Sequence, residues 1–246
     1  MRLLDRLRYG QRRRERRRHL AALPTGDADP VIFTDADSDV LLVAFGGMNR
    51  QIGIPPFEFM RLTGSIPVKR LFVRDPRQAW YHRGLPDRSG TLEETLAVLG
   101  ELTSGSERLI VTGNSAGGYA ALLFGSLLDA DEIVCFAPQS TLALDSLHAI
   151  GDRRWDDHLR PLIKAGAMDA RWLDLRALPA RENVHIYFDR GLEVDRLHAE
   201  RIAHVGQLHP CDGGQHDLVR TLRDRGELAR ILESALGREA SPDSAQ

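Results

Sequence analysis

The residues best suited to chemistry lie around Ser115, in the hexapeptide Gly-Asn-Ser-Ala-Gly-Gly at residues 113–118. The apolar run at 108–112 predicts a buried strand before it, and the run at 119–125 predicts a tightly packed helix after it. A sharp turn between two such elements pushes a serine hydroxyl outward and requires small neighbours, because larger side chains would collide there. Ser115 is therefore the candidate nucleophile, and a glycine-rich structural turn with an incidental serine is the alternative.

A serine nucleophile needs a base within hydrogen-bond reach and an acid that orients this base. His216 is the leading candidate for the base, because it lies in a glycine-containing turn after the last predicted strand. Asp195 is the leading candidate for the acid, because a short loop separates it from the predicted strand at 184–188, and Asp189 is the first alternative. The remaining alternatives are Glu193 for the acid and His198, His204 and His209 for the base.

Acyl transfer also needs N–H donors for the negative oxygen that develops on the substrate. The backbone N–H of Ala116, directly after the candidate nucleophile, is one candidate. The second donor is Gly47 or Met48, in the loop after the predicted strand Val40–Phe45. The adjacent glycines of that loop fit a plain strand-ending turn equally well.

The loop at residues 74–84 is rich in polar and aromatic side chains and follows a predicted strand, so it opens at the same sheet edge as Ser115. Its aromatic residues and arginines could bind a sugar or an anionic substrate, and Asp75, Trp80 and Tyr81 are the candidate substrate contacts. Gln139, just after Pro138, is a further candidate at this edge. Packing of the two aromatic rings against the loop is the alternative.

Apolar strand-like runs alternate with helical patterns, which predicts an α/β fold with a mostly parallel central sheet and helices on both faces. Thr91 followed by Glu94 predicts a capping box at the start of one helix. The predicted strands are 40–45, 68–73, 108–112, 132–136, 184–188 and 206–211, and the predicted helices are 57–62, 91–102, 119 onward, 194–205 and 217–236.

The predicted organisation is a basic N-terminal arm at 1–30, one domain at 31–236 and a flexible tail at 237–246. A length of 246 residues suits one α/β domain. The segment 139–180 interrupts the strand–helix rhythm and predicts a small lid insertion. So small a lid favours a bulky, exposed or carrier-attached substrate.

Charge is distributed unevenly along the chain. Residues 1–18 hold nine arginines against Asp5 and Glu15, a net charge of +7, whereas the whole chain carries −2 and its remainder therefore −9. Such an arm could contact an anionic surface or an acidic partner, and a solvated extension is the alternative. No fold for sequence-specific nucleic-acid recognition surrounds it.

The sequence argues against several other classes of protein. It contains no apolar run of the roughly 18–20 residues that span a bilayer, and its N-terminus has no apolar segment typical of a secretory signal. Its two cysteines provide no disulfide framework, so we expect a cytoplasmic protein. Its His, Cys and Asp residues show no metal-ligand spacing, so we expect neither a metal nor an organic cofactor.

The G-x-S-x-G pattern at 113–117, between a strand and a helix, resembles the nucleophile elbow of the α/β-hydrolase superfamily. The resemblance extends over about residues 31–236 in the order of elements. It implies an α/β-hydrolase fold and a catalytic triad in the chain order serine, acid, histidine.

A narrower likeness is carried by the residue groups 74–84, 113–121 and 136–139. These resemble small bacterial hydrolase domains found with surface-polysaccharide and glycosylation machinery, including the acetyltransferase-like components of accessory secretion systems. This likeness implies acyl-ester chemistry on a glycan or glycoconjugate.

We therefore expect a serine hydrolase, esterase-like, that works through an acyl-enzyme. An acyltransferase that passes the acyl group to a sugar hydroxyl is one alternative. A non-catalytic scaffold on a hydrolase fold is the other.

Overall fold

The computed structural model describes residues 29–48, 59–60, 62–64, 66–213, 216 and 218–237. The predicted basic arm lies outside these residues except for its last two positions, and the predicted tail lies outside them except for Gly237. Residues 57, 58 and 61 of the predicted helix at 57–62 are also outside the described part, as is Asn49 of the candidate oxyanion loop.

The described residues form one seven-stranded sheet with the strand order β1-β3-β2-β4-β5-β6-β7. All neighbouring strands pair in parallel except β1, which runs antiparallel to β3. This confirms the predicted mostly parallel sheet. The strands are β1 (Val31–Thr34), β2 (Val40–Phe45), β3 (Lys69–Val73), β4 (Arg108–Asn114), β5 (Glu132–Phe136), β6 (Val184–Asp189) and β7 (Gln207–Cys211).

The central strand β2 is apolar along its whole length because both faces of the sheet are covered. In β2, Leu41, Val43 and Phe45 pack into the core on one face, whereas Leu42 and Ala44 pack into the core on the other. Alternate residues of a strand point to opposite faces, so a continuous apolar run is what two covered faces require.

Helices flank the sheet on these two faces. The helices are α1 (Leu92–Thr103), α2 (Ala116–Leu127), α3 (Leu144–Ala149), α4 (Asp156–Lys164), α5 (Glu193–Arg201), α6 (Leu218–Asp224) and α7 (Glu227–Ala235). The predicted cap of α1 is present, since Thr91 Oγ1 accepts a hydrogen bond from the Glu94 N–H at 3.1 Å. The core on the first face includes residues of α1, α2 and α5, and the core on the second includes residues of α6 and α7.

Several elements differ from the sequence-based predictions. The described residues 59, 60 and 62 of the predicted helix at 57–62 lie in turns, and α2 begins at Ala116 rather than at 119. The predicted helix at 217–236 is two helices, because Gly226 between them adopts a left-handed conformation with φ of 69°. The predicted helix at 194–205 ends at Arg201, with turns at 202–205. Strand β1, Val31–Thr34, was not predicted. It has only four residues and pairs with β3 at the edge of the sheet, so its sequence pattern is too short to indicate a strand.

The segment 139–180 folds back onto the domain rather than standing apart from it. It contains α3, α4 and two short 3₁₀ turns, Ala170–Trp172 and Leu175–Ala177. Its Leu142 and Leu159 are fully buried in the same core as strand β2. Whether this segment acts as a lid stays a prediction. Among the described residues, every helix is too short or too polar to cross a membrane.

Candidate active site

Ser115 occupies the turn between β4 and α2 in a strained conformation. Its φ is 55° and its ψ is −117°, in the region that residues with side chains rarely adopt. The Ser115 N–H donates a hydrogen bond to the Phe136 carbonyl at 2.9 Å, and its carbonyl accepts one from the Tyr119 N–H at 2.9 Å. These two bonds hold the turn against the adjacent strand β5 and the first turn of α2.

The glycines around Ser115 are required by contacts between backbone segments. A Cβ on Gly113 would lie 2.1 Å from the Gly117 carbonyl oxygen, and a Cβ on Gly117 would lie 2.3 Å from the Phe45 carbonyl oxygen. A Cβ on Gly118 would lie 3.0 Å from Pro138. The backbone of α2 therefore packs directly against strands β2 and β5, which is why the sequence has no larger residue at these positions.

The structure brings Ser115, His216 and Asp195 together in one hydrogen-bonded chain. Ser115 Oγ lies 2.9 Å from His216 Nε2, and His216 Nδ1 lies 2.8 Å and 3.1 Å from the two carboxylate oxygens of Asp195. The shorter contact to Asp195 assigns the proton of the neutral ring to Nδ1. Nε2 is then free to accept the Ser115 proton.

Burial differs along this chain of three residues. Asp195 is almost completely buried in the first turn of α5, where the positive end of the helix dipole favours a carboxylate. The His216 side chain retains 36% of its accessible surface, and Ser115 retains 8%. The imidazole is therefore the most accessible of the three side chains, and the carboxylate is shielded from solvent.

The alternative acids and bases are engaged elsewhere. Asp189 accepts the Gly191 N–H at 2.8 Å within its own turn, and Glu193 is exposed at the start of α5. His209 stacks on Tyr187 with ring centres 4.5 Å apart. His204 lies 3.1 Å from the Arg176 carbonyl, and His198 is buried against Ser140.

The candidate oxyanion donors come from two backbone segments that converge. Ala116 is the first residue of α2, where helix N–H groups have no partner within the helix. Gly117 approaches the end of β2 so closely that its Cβ would lie 3.0 Å from the Gly46 carbonyl carbon. Gly47 and Met48 follow directly, so either residue is near the N-terminal end of α2.

The candidate substrate contacts at 74–84 are interior residues, and their role as substrate contacts stays a prediction. Trp80 and Tyr81 have no accessible surface, and the Tyr81 hydroxyl donates to the Gly46 carbonyl at 2.9 Å. The buried Asp75 carboxylate accepts N–H bonds from the loop, including those of Ala79 and Tyr81 at 2.6 Å and 2.8 Å. Burial raises the pKa of Asp75, and these backbone bonds oppose the rise. Both rings pack against the interior, as the packing alternative expects.

Gln139 is buried beside that loop. Its side-chain oxygen accepts the Trp80 indole N–H, while its Nε2 has no hydrogen-bond partner among the described residues. The amide therefore keeps an unused donor, and a substrate contact by Gln139 stays a prediction.

Sequence reasoning missed Arg154. Its guanidinium Nη1 lies 3.3 Å from Asp195 Oδ1 and 3.2 Å from His216 Nδ1. It comes from the segment between α3 and α4, and no motif marks it in the sequence. Among the described residues, no group of three His, Cys, Asp or Glu side chains is arranged to hold a metal ion.

Known structures share this architecture. The chain is similar to the capsule O-acetyltransferase of Neisseria meningitidis serogroup A, at a TM-score of 0.56 and 15% identity over 85% of this chain and 91% of that one. It is also similar to the butyrate-bound esterase Est2 of Thermogutta terrifontis, at a TM-score of 0.54 and 14% identity over 84% and 88%. The chain has the α/β-hydrolase fold.

A third similar structure is the Glycosylation Associate Protein (Gap123) complex from Streptococcus agalactiae. The TM-score is 0.56 at 16% identity, over 85% of this chain and 45% of that one. No protein-family model matches the sequence, and no curated protein is significantly similar to it in sequence. At these identities the likeness shows the α/β-hydrolase fold alone.

Proposed function

We propose that this α/β-hydrolase-fold protein is a serine hydrolase that cleaves acyl esters through Ser115, His216 and Asp195. The observation that carries the proposal is the chain of contacts of 2.9 Å and 2.8 Å from Ser115 Oγ through His216 to Asp195, set in a strained turn between strand and helix. A serine hydroxyl becomes a nucleophile when an oriented imidazole can take its proton.

The proposed reaction has two halves. His216 Nε2 takes the Ser115 proton as Oγ attacks the acyl carbonyl, and the N–H of Ala116 with that of Gly47 or Met48 stabilises the oxyanion. His216 then gives the proton to the departing alkoxide, which leaves an acyl-Ser115 ester. Water attacks this ester with His216 as base, and the carboxylic acid departs while Ser115 regains its proton.

We propose an acyl ester on a glycan or glycoconjugate as the substrate. Support comes from the capsule O-acetyltransferase and from the glycosylation-associated complex among the structures of similar fold. The partial exposure of His216 agrees with a bulky substrate that reaches the serine from the surface.

Acyl transfer is the second candidate function. One structure of the similar capsule O-acetyltransferase is in complex with CoA. The same triad would then form the acyl-enzyme from a thioester, and a sugar hydroxyl would replace water in the second half.

One experiment tests the hydrolase and separates it from the transferase. The purified protein is given p-nitrophenyl acetate or an O-acetylated oligosaccharide, with and without an unacetylated oligosaccharide acceptor, and the products are weighed by mass spectrometry. Free acetate that is unaffected by acceptor supports hydrolysis, whereas acetylated acceptor supports transfer. Product formation that persists at the wild-type rate in Ser115→Ala would refute both.

A further inference from the structure

Arg154 lies between two buried carboxylates beside the candidate active site. Its Nη1 contacts Asp195 at 3.3 Å, and its Nε and Nη2 contact the two carboxylate oxygens of Asp152 at 2.9 Å and 2.8 Å. The Asp152 and Asp195 side chains each retain only 1% of their accessible surface, whereas Arg154 retains 33%. One guanidinium therefore ties the acid of the triad to a second aspartate.

The charges of this group depend on one another. Burial disfavours the charged guanidinium, but hydrogen bonds and charge from Asp152 and Asp195 outweigh burial and raise the pKa of Arg154. Burial likewise opposes ionisation of Asp152, yet hydrogen bonds from His198 and Arg154 bring the pKa of Asp152 well below its usual range. Asp152 and the guanidinium are thus charged near neutral pH.

The second aspartate is itself fixed by buried partners. The Ser140 N–H donates to His198 Nδ1 at 3.1 Å, which makes Nδ1 an acceptor and leaves the proton of the neutral ring on Nε2. His198 Nε2 then donates to Asp152 at 3.0 Å. Arg154 consequently has a rigid support on the side away from Asp195.

We propose that Arg154 is a positioning residue that orients the Asp195 carboxylate and keeps His216 in the neutral form that accepts a proton. The inference rests on the proposed hydrolase function. Because the N–H at Nδ1 of His216 donates to Asp195, Nδ1 cannot also accept a hydrogen bond from the guanidinium that lies 3.2 Å away. The positive charge of the guanidinium therefore acts on the ring by repulsion, and it disfavours a second proton on the imidazole. Without Arg154, two buried carboxylates would remain and would favour the imidazolium.

Among the described residues, the charged groups in contact with His216 come from two elements. Asp195 faces it from α5, and Arg154, with Asp152 behind it, faces it from the segment before α4. Asp212, in the loop leading to His216, pairs with Arg190 at 2.7 Å and accepts at its carbonyl from Arg225 at 2.8 Å. Substitutions of Asp152 and Arg154 change the charges that act on His216, and they leave the ion pair between Asp212 and Arg190 intact.

The test measures the rate at which a fluorophosphonate labels the full-length protein, from about pH 5 to about pH 9, where a histidine base titrates. The rate falls at acid pH when the base is protonated. We call this fall in labelling rate the acid limb of the pH profile. In Arg154→Met we expect the acid limb to lie about one pH unit higher than in the wild type, and the labelling rate on the plateau above it to be about tenfold lower. Asp152→Asn removes a negative charge beside the Arg154 guanidinium, so the positive charge near His216 is less neutralised. In this variant we expect the acid limb to move to lower pH.

Two further variants keep the result interpretable. Arg154→Lys keeps the charge, so its acid limb should return close to that of the wild type even if its plateau is lower. Arg153→Ala is the matched control, because the Arg153 side chain is 67% exposed and forms an ion pair with Asp156 at 3.6 Å. Thermal melting of every variant establishes that it is folded.

The outcomes separate this inference from the proposed function. Wild-type protein that is folded but never labelled overturns the hydrolase proposal and the inference with it. Wild-type labelling with an acid limb that stays in place in folded Arg154→Met and Asp152→Asn overturns the inference alone. Shifts of opposite sign in these two variants support it, since a merely structural role would not reverse direction.

Discussion

The described residues include two hydrogen-bonded groups of serine, histidine and aspartate, which differ in solvent access and in the orientation of the imidazole. In the first, Ser115 contacts Nε2 of His216 at 2.9 Å and Asp195 contacts Nδ1. In the second, Ser140 contacts Nδ1 of His198 at 2.9 Å and Asp152 contacts Nε2 at 3.0 Å. The distances are nearly the same in both.

The surroundings of the two serines explain why only one is proposed to react. Ser115 lies in a strained turn beside the His216 ring, which is 36% exposed. In contrast, Ser140, His198 and Asp152 each retain 1% or less of their accessible surface. The Ser140 backbone N–H also occupies His198 Nδ1, so this ring has no lone pair reserved for a proton from the hydroxyl. The same residue types thus lie in the interior in one place and in the proposed active site in the other.

The largest expected difference is in turnover. Ser115→Ala should lower ester hydrolysis by about four orders of magnitude or more, because it removes the nucleophile. Ser140→Ala, which removes a hydroxyl of the same size, should stay within about threefold of the wild type, since no substrate reaches it. Hydrolysis of p-nitrophenyl acetate measures both, and a Ser140→Ala protein as inactive as Ser115→Ala would break the distinction.

The next difference is in stability. His198→Ala should lower the free energy of unfolding by about 3 kcal/mol, because it leaves Asp152 and Ser140 buried with lost partners. His216→Ala should cost about 1 kcal/mol or less, since its ring is partly solvated. Urea denaturation followed by circular dichroism gives both values, and equal costs would contradict the assignment of one histidine to the interior.

A third histidine, His82, extends the comparison to pH. It joins the insertion to α2, since its Nδ1 accepts the Asp169 N–H at 2.8 Å and its Nε2 contacts the Tyr119 hydroxyl at 2.8 Å. Burial lowers the pKa of His82 to about 4, against the opposing charge of Asp169. Because the unfolded chain binds this proton at higher pH than the folded one, stability should be lost as pH falls from about 6.5 to about 4.

The expected loss at His82 is about 2–3 kcal/mol over this interval. His82→Gln removes the titrating group, so its stability should vary less with pH than that of the wild type. Urea unfolding at a series of pH values measures the difference between the two proteins. Parallel pH curves would show that His82 is not the group responsible.

The smallest expected effect concerns the buried loop. Trp80→Phe removes the indole donor to Gln139 and should cost about 1–2 kcal/mol in stability. Because Trp80 has no accessible surface, the KM of the variant for a small ester should match that of the wild type. A large rise in KM with unchanged stability would identify Trp80 as a substrate contact.

Features carried by local sequence were predictable, whereas contacts made by long-range folding were not. The central strands could be predicted from apolar runs. The turn at Ser115 could be predicted from the glycines around it, which are needed because backbone segments pack closely there. The apolar periodicity of residues 217–236 predicted one helix, although Gly226 is a residue at which a helix can end. Trp80 and Tyr81 were ambiguous, because an aromatic residue in a loop can face either solvent or the core.

Arg154 shows the limit most clearly. Its contact with Asp195 joins residues 41 positions apart and depends on how the insertion folds over the sheet edge. Nothing in the sequence around Arg154 distinguishes it from Arg153, which points to solvent. Only the packing of the segment 139–180 selects between them.

The central claim is that His216 and Asp195 activate Ser115. The most direct measurement is the intact mass, with peptide mapping, of the wild type, Ser115→Ala and Ser140→Ala after exposure to a fluorophosphonate. The account predicts one adduct, on Ser115, in the wild type and in Ser140→Ala, and none in Ser115→Ala. An unlabelled but folded wild-type protein, or an adduct that maps to Ser140, would contradict it.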